Sequence, residues 1–186
     1  MEECIKSNRI KAAIKFLIQQ LLRLVSSFED VARLMLIFQT NHPENNNHRF
    51  AGLAVYPKDP NFIVAILEDH TQANEPTGDN PYKVANTLCI INADAREIRI
   101  FANGQDPTRD FYGPPAFSPG GAHIAWQQWS HPDMPWDQSK IYIADVSTDS
   151  TTLKFDNVRA VPFQSTRPVI PAYPNWSNDK TLIFHL

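Results

Sequence analysis

The sequence predicts a mainly β protein preceded by a helical segment, and three observations support this fold class. The chain up to Asn41 contains neither proline nor glycine, since the first proline is Pro43 and the first glycine is Gly52. Beyond Asn41, both residue types interrupt the chain repeatedly. Before this point, apolar residues recur at helical spacing. Beyond it, apolar runs alternate with turn residues in a pattern that recurs about every 60 residues. We therefore predict a helical extension over 1–42, of unknown role, and a β domain over 50–186.

The helical segment is defined by apolar residues spaced alternately by four and three positions. These residues are Ile10, Ile14, Leu17, Leu21, Leu24, Phe28, Val31, Met35 and Phe38. The tetrapeptide SSFE at 26–29 resembles a capping box, so the pattern also fits two helices that meet near Ser26. A coiled coil would carry partner-selecting charges at the flanking positions, but Ala13 and Leu34 are among the residues found there. The pattern therefore favours a broad apolar face that packs on another surface.

Composition argues against several classes of partner. The chain has 17 basic and 20 acidic residues, a net charge of −3, and no cluster of Lys or Arg. Nucleic acid is therefore not an expected partner. Charged residues interrupt every apolar stretch before it reaches the ~18 residues that a membrane span needs. Glu2 and Glu3 argue against a targeting peptide.

Two cysteines, Cys4 and Cys89, are the only ones in the chain. They lack the dense spacing of a secreted disulfide scaffold, so we expect two reduced thiols in a cytoplasmic protein.

The β domain repeats one design, in which a turn rich in Pro, Asp, Asn or Gly joins two apolar strands. A second half, with another strand, a polar turn and a fourth strand, follows the first two copies at Asn86 and Ser139. Four strands per repeat is the layout of a β-propeller blade. The three copies are LAVYPKDPNFIVAI from Leu53, PAFSPGGAHIAW from Pro115 and PNWSNDKTLIF from Pro174.

The blade count predicts an incomplete propeller. Two complete blades extend roughly from Phe50 to Phe101 and from Pro114 to Val161, and a third stops after two strands at Leu186. A closed propeller usually has about four to eight blades. About two and a half four-stranded antiparallel blades therefore do not close a ring alone, and we expect their open ends to associate with another copy or a partner.

The second repeat contains the most informative turn. Pro119 presets φ for a turn, and Gly120 and Gly121 tolerate positive φ, so the segment 115–126 predicts a hairpin. A proline-broken loop, HPDMPWD at 131–137, then leads to a strand from Lys140 to Val146.

Together, FSPGGAHIAW, HPDMPWD and KIYIADV resemble a blade of the β-propeller in prolyl-oligopeptidase-family serine peptidases, most closely the dipeptidyl- and acylaminoacyl-peptidase-like branch. The resemblance covers roughly Phe50 to Leu186. In this family the propeller filters the peptides that reach a Ser, Asp and His triad in a separate α/β-hydrolase domain. One departure is Gly120, which stands where the turn usually carries Asp, so an Asx-type hydrogen bond is lost.

The resemblance transfers no catalytic residue to this chain. No pair of glycines brackets a serine as in the Gly-x-Ser-x-Gly nucleophile elbow, and the strand pattern is not that of a hydrolase domain. It implies that the catalytic domain is missing and that the chain alone is inactive. It supplies neither a cofactor nor a metal ligand.

Two groups of ionisable residues are candidates for other chemistry. His131, Asp133 and Asp137 lie close in sequence and could ligate a metal or act as a base. The prolines between them favour a rigid loop in which Asp137 caps a turn. The second group, Glu68, Asp69 and His70, follows a predicted strand. Some members of the resembled family hold a substrate's amino terminus with acidic propeller residues, but we favour strand-end turn residues here.

Aromatic residues are dense in the second and third repeats. They could form a recognition surface, but large aromatics normally fill the space between face-to-face blades, so we predict a core role. The residues are Phe111, Tyr112, Phe117, Trp126, Trp129, Trp136, Tyr173 and Trp176.

Two functions follow from these patterns. The first is a non-catalytic propeller fragment related to the substrate-gating propeller of the peptidases. The alternative is a stand-alone interaction module, whose blades and apolar helix dock on peptides or another protein.

Overall fold

The computed structural model describes residues 47–73, 83–95, 97–102, 110–149, 151–163 and 170–185. These residues form eleven strands in three antiparallel sheets, and within the described ranges no sheet closes on itself. No helix in these ranges is long and apolar enough to cross a bilayer. The helical extension predicted over 1–42 lies outside the described residues.

The first sheet is a four-stranded meander, ordered as in the sequence. Its strands are β1 (His48–Val55), β2 (Phe62–Asp69), β3 (Ala85–Asn92) and β4 (Glu97–Ala102). The turn that joins β1 to β2 is closed by Tyr56, whose N–H donates to the carbonyl oxygen of Phe62 over 2.8 Å.

The second sheet contains five strands that form one blade. They are β5 (Asp110–Tyr112), β6 (Ala116–Phe117), β7 (His123–Ser130), β8 (Lys140–Thr148) and β9 (Leu153–Ala160). Both β5 and β6 pair with β7, so they are two halves of one edge strand. Pro114 and Pro115 interrupt it, because proline has no N–H to donate to the ladder. The blade, predicted to start roughly at Pro114, therefore also includes Asp110–Tyr112.

The third sheet is a hairpin of β10 (Ala172–Asn178) and β11 (Thr181–His185). Two four-stranded blades, with β5 and β6 counted as one strand, and half of a third blade thus follow one another along the chain. The predicted mainly β fold, an incomplete propeller of about two and a half blades, is confirmed.

The main core lies between the first and second blades. Successive residues of a strand point to opposite faces, and Phe62, Val64 and Ile66 of β2 face the second blade. They pack in one cluster with Ile124 and Trp126 of β7. The opposite face of β2 is also buried. Because both faces of the strand are buried, its sequence is a continuous apolar run from Phe62 to Leu67.

Candidate functional site

A cleft of about 530 Å³ lies between the second and third blades. Strands β5 and β7 contribute one wall through Tyr112, Gln127 and Trp129, and β10 contributes Tyr173 on the other side. The loop between β7 and β8 adds Trp136. The cleft is therefore mainly apolar, with these four aromatic rings, and its polar lining includes Gln127 and His185.

The loop that carries Trp136 has internal hydrogen bonds that define its shape. The N–H of Met134 donates to Oδ2 of Asp137 over 3.2 Å, and the N–H of Asp137 donates to the carbonyl oxygen of Met134 over 2.9 Å. Asp137 thus caps a turn, as the sequence predicted. Trp136, one residue before it, is 68% exposed.

Tyr173 occupies a backbone conformation that is rare for a tyrosine. Its φ is +53°, in the left-handed region, and its side chain is 71% exposed. The N–H of Tyr173 donates to Oε1 of the buried Gln127 over 3.4 Å. Nε2 of Gln127 donates to Oγ of Ser139 over 2.8 Å, and Oγ of Ser139 donates to the carbonyl oxygen of Pro171 over 3.0 Å. A partly buried polar relay, with Gln127 at its buried end, therefore positions the start of β10 against the second blade.

The wall of the cleft also contains a buried hydroxyl. Tyr112 is 5% exposed, and its hydroxyl has no hydrogen-bond partner among the described residues. Burial raises the pKa of Tyr112, and the nearby carboxylate of Asp110 raises it further, so the phenol stays protonated. Asp110 itself accepts a hydrogen bond from the hydroxyl of Ser130.

A smaller and more polar recess of about 320 Å³ shares Trp129 and Ile170 with the cleft. Its lining includes Gln128, Asp133 and Lys140. The two spaces together place an aromatic surface beside groups that can donate and accept hydrogen bonds.

Comparisons with solved structures identify the fold. A puromycin hydrolase matches 74% of this chain with a TM-score of 0.56 and 24% identity, and the match covers 19% of that chain. A puromycin-hydrolysing peptidase from Mycobacterium tuberculosis matches 72% of this chain with a TM-score of 0.53 and 26% identity, again over 19% of its length. No protein-family model and no curated protein matches the sequence significantly.

The described blades are a propeller-like domain of the kind found in these peptidases. The resemblance to the propeller of the prolyl-oligopeptidase family, predicted from the blade motifs, is confirmed. The chain spans about a fifth of the length of the peptidases it matches. Their activity therefore does not transfer to it directly.

The first group of ionisable residues, His131, Asp133 and Asp137, lies on the loop between β7 and β8. His131 and Asp137 are exposed, and the carboxylate of Asp137 is used in the turn. Within the described ranges, no set of three His, Cys, Asp or Glu side chains is arranged to hold a metal ion.

The second group lies at the end of β2, where the sequence predicted turn residues. Oδ1 of Asp69 accepts a hydrogen bond from the N–H of Thr71 over 2.8 Å and lies 3.5 Å from Nε2 of His48. Partial burial raises the pKa of Asp69, but the hydrogen bonds from Thr71 and the neighbouring His48 outweigh burial and lower the pKa overall. Glu68 Oε2 and His70 Nε2 lie 3.5 Å apart. The contacts are those of a strand end, as predicted.

The aromatic prediction is correct for some residues and wrong for others. Trp126 and Tyr112 are buried, and Phe117 packs against the main core. Trp136 and Tyr173 are exposed, which contradicts their predicted core role. The exposed pair lines the cleft, a site that sequence reasoning missed. The signal that could have found it is Trp136 itself, a large apolar residue within a polar, proline-rich loop.

Proposed function

We propose that these blades are a non-catalytic part of a propeller that limits which peptides reach the active site of a serine peptidase. The observation that supports the proposal is the likeness in fold to the puromycin-hydrolysing peptidases, over blades that follow one another in chain order. Two blades and a half correspond to part of a ring of about four to eight. The dipeptidyl- or acylaminoacyl-peptidase-like branch and a cytoplasmic location belong to the same proposal.

A chimera tests the gating role. Residues 47–185 would replace the matching stretch of a puromycin-hydrolysing peptidase, and cleavage of a short peptide would be compared with cleavage of unfolded casein. Labelling by a fluorophosphonate probe confirms that the catalytic serine is intact, and the unaltered peptidase is the control. We expect the chimera to cleave the peptide and to exclude casein. A labelled chimera that degrades both substrates equally well would contradict the proposal.

A second function, a stand-alone interaction module, is favoured by the exposed pair Trp136 and Tyr173, since aromatic residues are enriched at interfaces. The mass of the endogenous protein separates the two functions. A product of 21.2 kDa supports the module, because that is the mass of this chain alone. A larger product that carries a hydrolase domain supports the gating propeller. Neither function predicts fluorophosphonate labelling of the isolated chain.

A further inference from the structure

We propose that the aromatic cleft between the second and third blades binds one neutral aromatic side chain of an extended peptide supplied by another molecule. The proposal concerns recognition by this surface and does not rest on the gating function. It is carried by three properties of the cleft: the exposure of its aromatic residues, the backbone strain at one of them, and the lack of Asp, Glu, Lys and Arg among the described residues of its lining.

The first property is the exposure of two large aromatic side chains at one site. Trp136 and Tyr173 belong to different blades, yet both line the same cleft and both are more than two thirds exposed. Each ring could bury ~150 to 250 Å² in a core. Because both rings are exposed to water, neither gives the fold the stabilisation that burial of this area would provide. Tryptophan and tyrosine with this exposure are the side chains that most often anchor a binding partner.

The second property is the strain at Tyr173. A positive φ is unfavourable for a residue with a large side chain, and such conformations persist where the surrounding structure imposes them. The relay from Gln127 through Ser139 to Pro171 imposes this one. A buried glutamine and a strained backbone thus present the ring of Tyr173 to solvent at the cleft. Residues held in this way occur frequently at ligand-binding sites.

The third property determines the chemistry of the occupant. None of the described residues that line the cleft is Asp, Glu, Lys or Arg. The lining does contain the imidazole of His185, which is exposed. A charged side chain would therefore lose much of its hydration there and meet at most this one imidazole. An aromatic ring matches both the lining and the volume, which lies within the range of ~300 to 1,000 Å³ typical of ligand pockets.

The polar recess next to the cleft suits the main chain of the same peptide. Trp129 and Ile170 line both spaces, so a ligand can extend from one into the other. Gln128 and Lys140 in the recess can donate hydrogen bonds to peptide carbonyl oxygens, and Asp133 can accept them from peptide N–H groups. An extended peptide with one aromatic side chain therefore fits better than a free aromatic molecule.

The test uses the full chain and three capped peptides: Ac-Gly-Phe-Gly-NH₂, Ac-Gly-Leu-Gly-NH₂ and Ac-Gly-Glu-Gly-NH₂. Binding is followed by the NMR signals of the tryptophan indole N–H groups. We expect saturable binding of the phenylalanine peptide with a Kd of about 0.1 to 10 mM, as suits a single anchoring side chain. The leucine peptide should bind at least about threefold more weakly, and the glutamate peptide should not saturate.

Two variants assign the binding to the cleft. Trp136→Ala removes one exposed ring, and Tyr173→Gly removes the other while glycine adopts the positive φ without strain. Each should weaken binding of the phenylalanine peptide about tenfold or more. Ile100→Ala, at another exposed apolar residue on β4 of the first blade, is the matched control and should leave it unchanged.

Several outcomes would overturn the proposal. The first is a titration with the phenylalanine peptide that shows no curvature up to about 20 mM, twice the highest expected Kd. The others are equal binding of the glutamate peptide, or equal binding by both variants and the parent chain. If the parent chain self-associates and both variants abolish that association, the occupant is a second copy of this chain, which also overturns it.

Discussion

The backbone N–H of Gly120 donates a hydrogen bond of 2.5 Å to Oδ1 of Asp179, from the turn of the second blade to the turn of the third. A Cβ atom on residue 120 would lie 2.5 Å from Oδ2 of Asp179, so no side chain fits there unless the carboxylate moves. The turn that this segment resembles would carry Asp in place of Gly120. The contact gives a physical reason for glycine at position 120. Asp179 of the third blade supplies the carboxylate that accepts a hydrogen bond from this turn, and it occupies the space that a side chain on residue 120 would need.

The first prediction concerns Gly120→Asp, which introduces the residue that the resemblance implies for this turn. We expect a lower midpoint of chemical denaturation, because the new carboxylate would meet that of Asp179 at a distance where like charges repel. The double variant Gly120→Asp with Asp179→Ala removes both the second carboxylate and the atoms that residue 120 would meet, so it should recover part of the lost stability. Equal midpoints for the parent and the single variant would show that the two turns do not constrain each other.

The second prediction is an acid dependence of the contact between these blades. The hydrogen bond from Gly120 lowers the pKa of Asp179 from its usual value near 3.8, with help from Ser118 and the nearby His123 and Lys58. A lowered folded-state pKa contributes stability above the unfolded-state pKa, and this stability is lost as pH falls through the folded value. The blades should therefore separate more easily below about pH 4.

The NMR signal of the Trp176 indole N–H reports this separation, because Nε1 of Trp176 donates to the carbonyl oxygen of Ala116 in the second blade over 3.0 Å. Asp179→Asn should flatten the acid response between about pH 4 and pH 2. Asp149→Asn is the matched control, since Asp149 also has a lowered pKa but is held by Lys154 within the second blade. A Trp176 response that is the same in both variants would contradict the assignment to Asp179.

Local sequence patterns predicted the hairpins because each hairpin is specified by its own residues. The turn after Phe117 has the register expected of a hairpin, with Phe117 opposite Ile124, and Gly121 adopts a φ of +66°. Asp110 to Tyr112 was not assigned to the blade because Gly113, Pro114 and Pro115 separate it from β6. Only the pairing of both pieces with β7 shows that they are one strand.

The cleft could not be predicted in the same way. Whether an aromatic side chain is buried depends on the neighbouring blade, which lies some 60 residues away in the repeat pattern. Trp126 and Trp136 are both tryptophans of the second blade, yet one is 1% exposed and the other lies open to solvent. The relay that holds Tyr173 joins residues from two blades and has no local sequence signature.

The third prediction concerns the main core. Trp126 packs edge-to-face against Phe101 of the first blade, with ring centres 5.8 Å apart, and stacks on Tyr142 at 5.9 Å. Trp126→Ala should lower the free energy of unfolding by about 3 to 5 kcal/mol. Trp136→Ala, at an exposed tryptophan, should change it by less than about 0.5 kcal/mol. An unchanged denaturation midpoint for Trp126→Ala would place this residue outside the core.

The fourth prediction concerns the buried thiol of Cys89 and the face of the first blade on which it lies. Cys89 and Ile63 are fully buried on this face, although the described residues that pack against it belong to the same sheet. The amphipathic pattern of 10–38 makes that segment the expected cover. Burial raises the pKa of Cys89 to about 12, so its thiol should react slowly with a thiol reagent at pH 8.

Deletion of residues 1–42 tests this expectation, because it also removes Cys4 and leaves Cys89 as the single thiol. We expect Cys89 to react at least about tenfold faster in the shortened chain than in the Cys4→Ser full chain. Both proteins should react rapidly in denaturant. Equally slow reaction of the two folded proteins would show that another part of the chain covers this face.

The last prediction is association through the third blade. In the described part of the chain, β11 pairs with β10 alone, and Ile183 on β11 is half exposed. An unpaired strand edge beside apolar side chains is a template for pairing with another chain. We expect concentration-dependent sedimentation, which Ile183→Lys should reduce because a charge on an edge strand opposes such pairing. Met134→Lys, at an exposed apolar residue in the loop between β7 and β8 and so on no strand edge, is the matched control. A monomer at tens of micromolar that binds no hydrophobic dye would contradict the prediction.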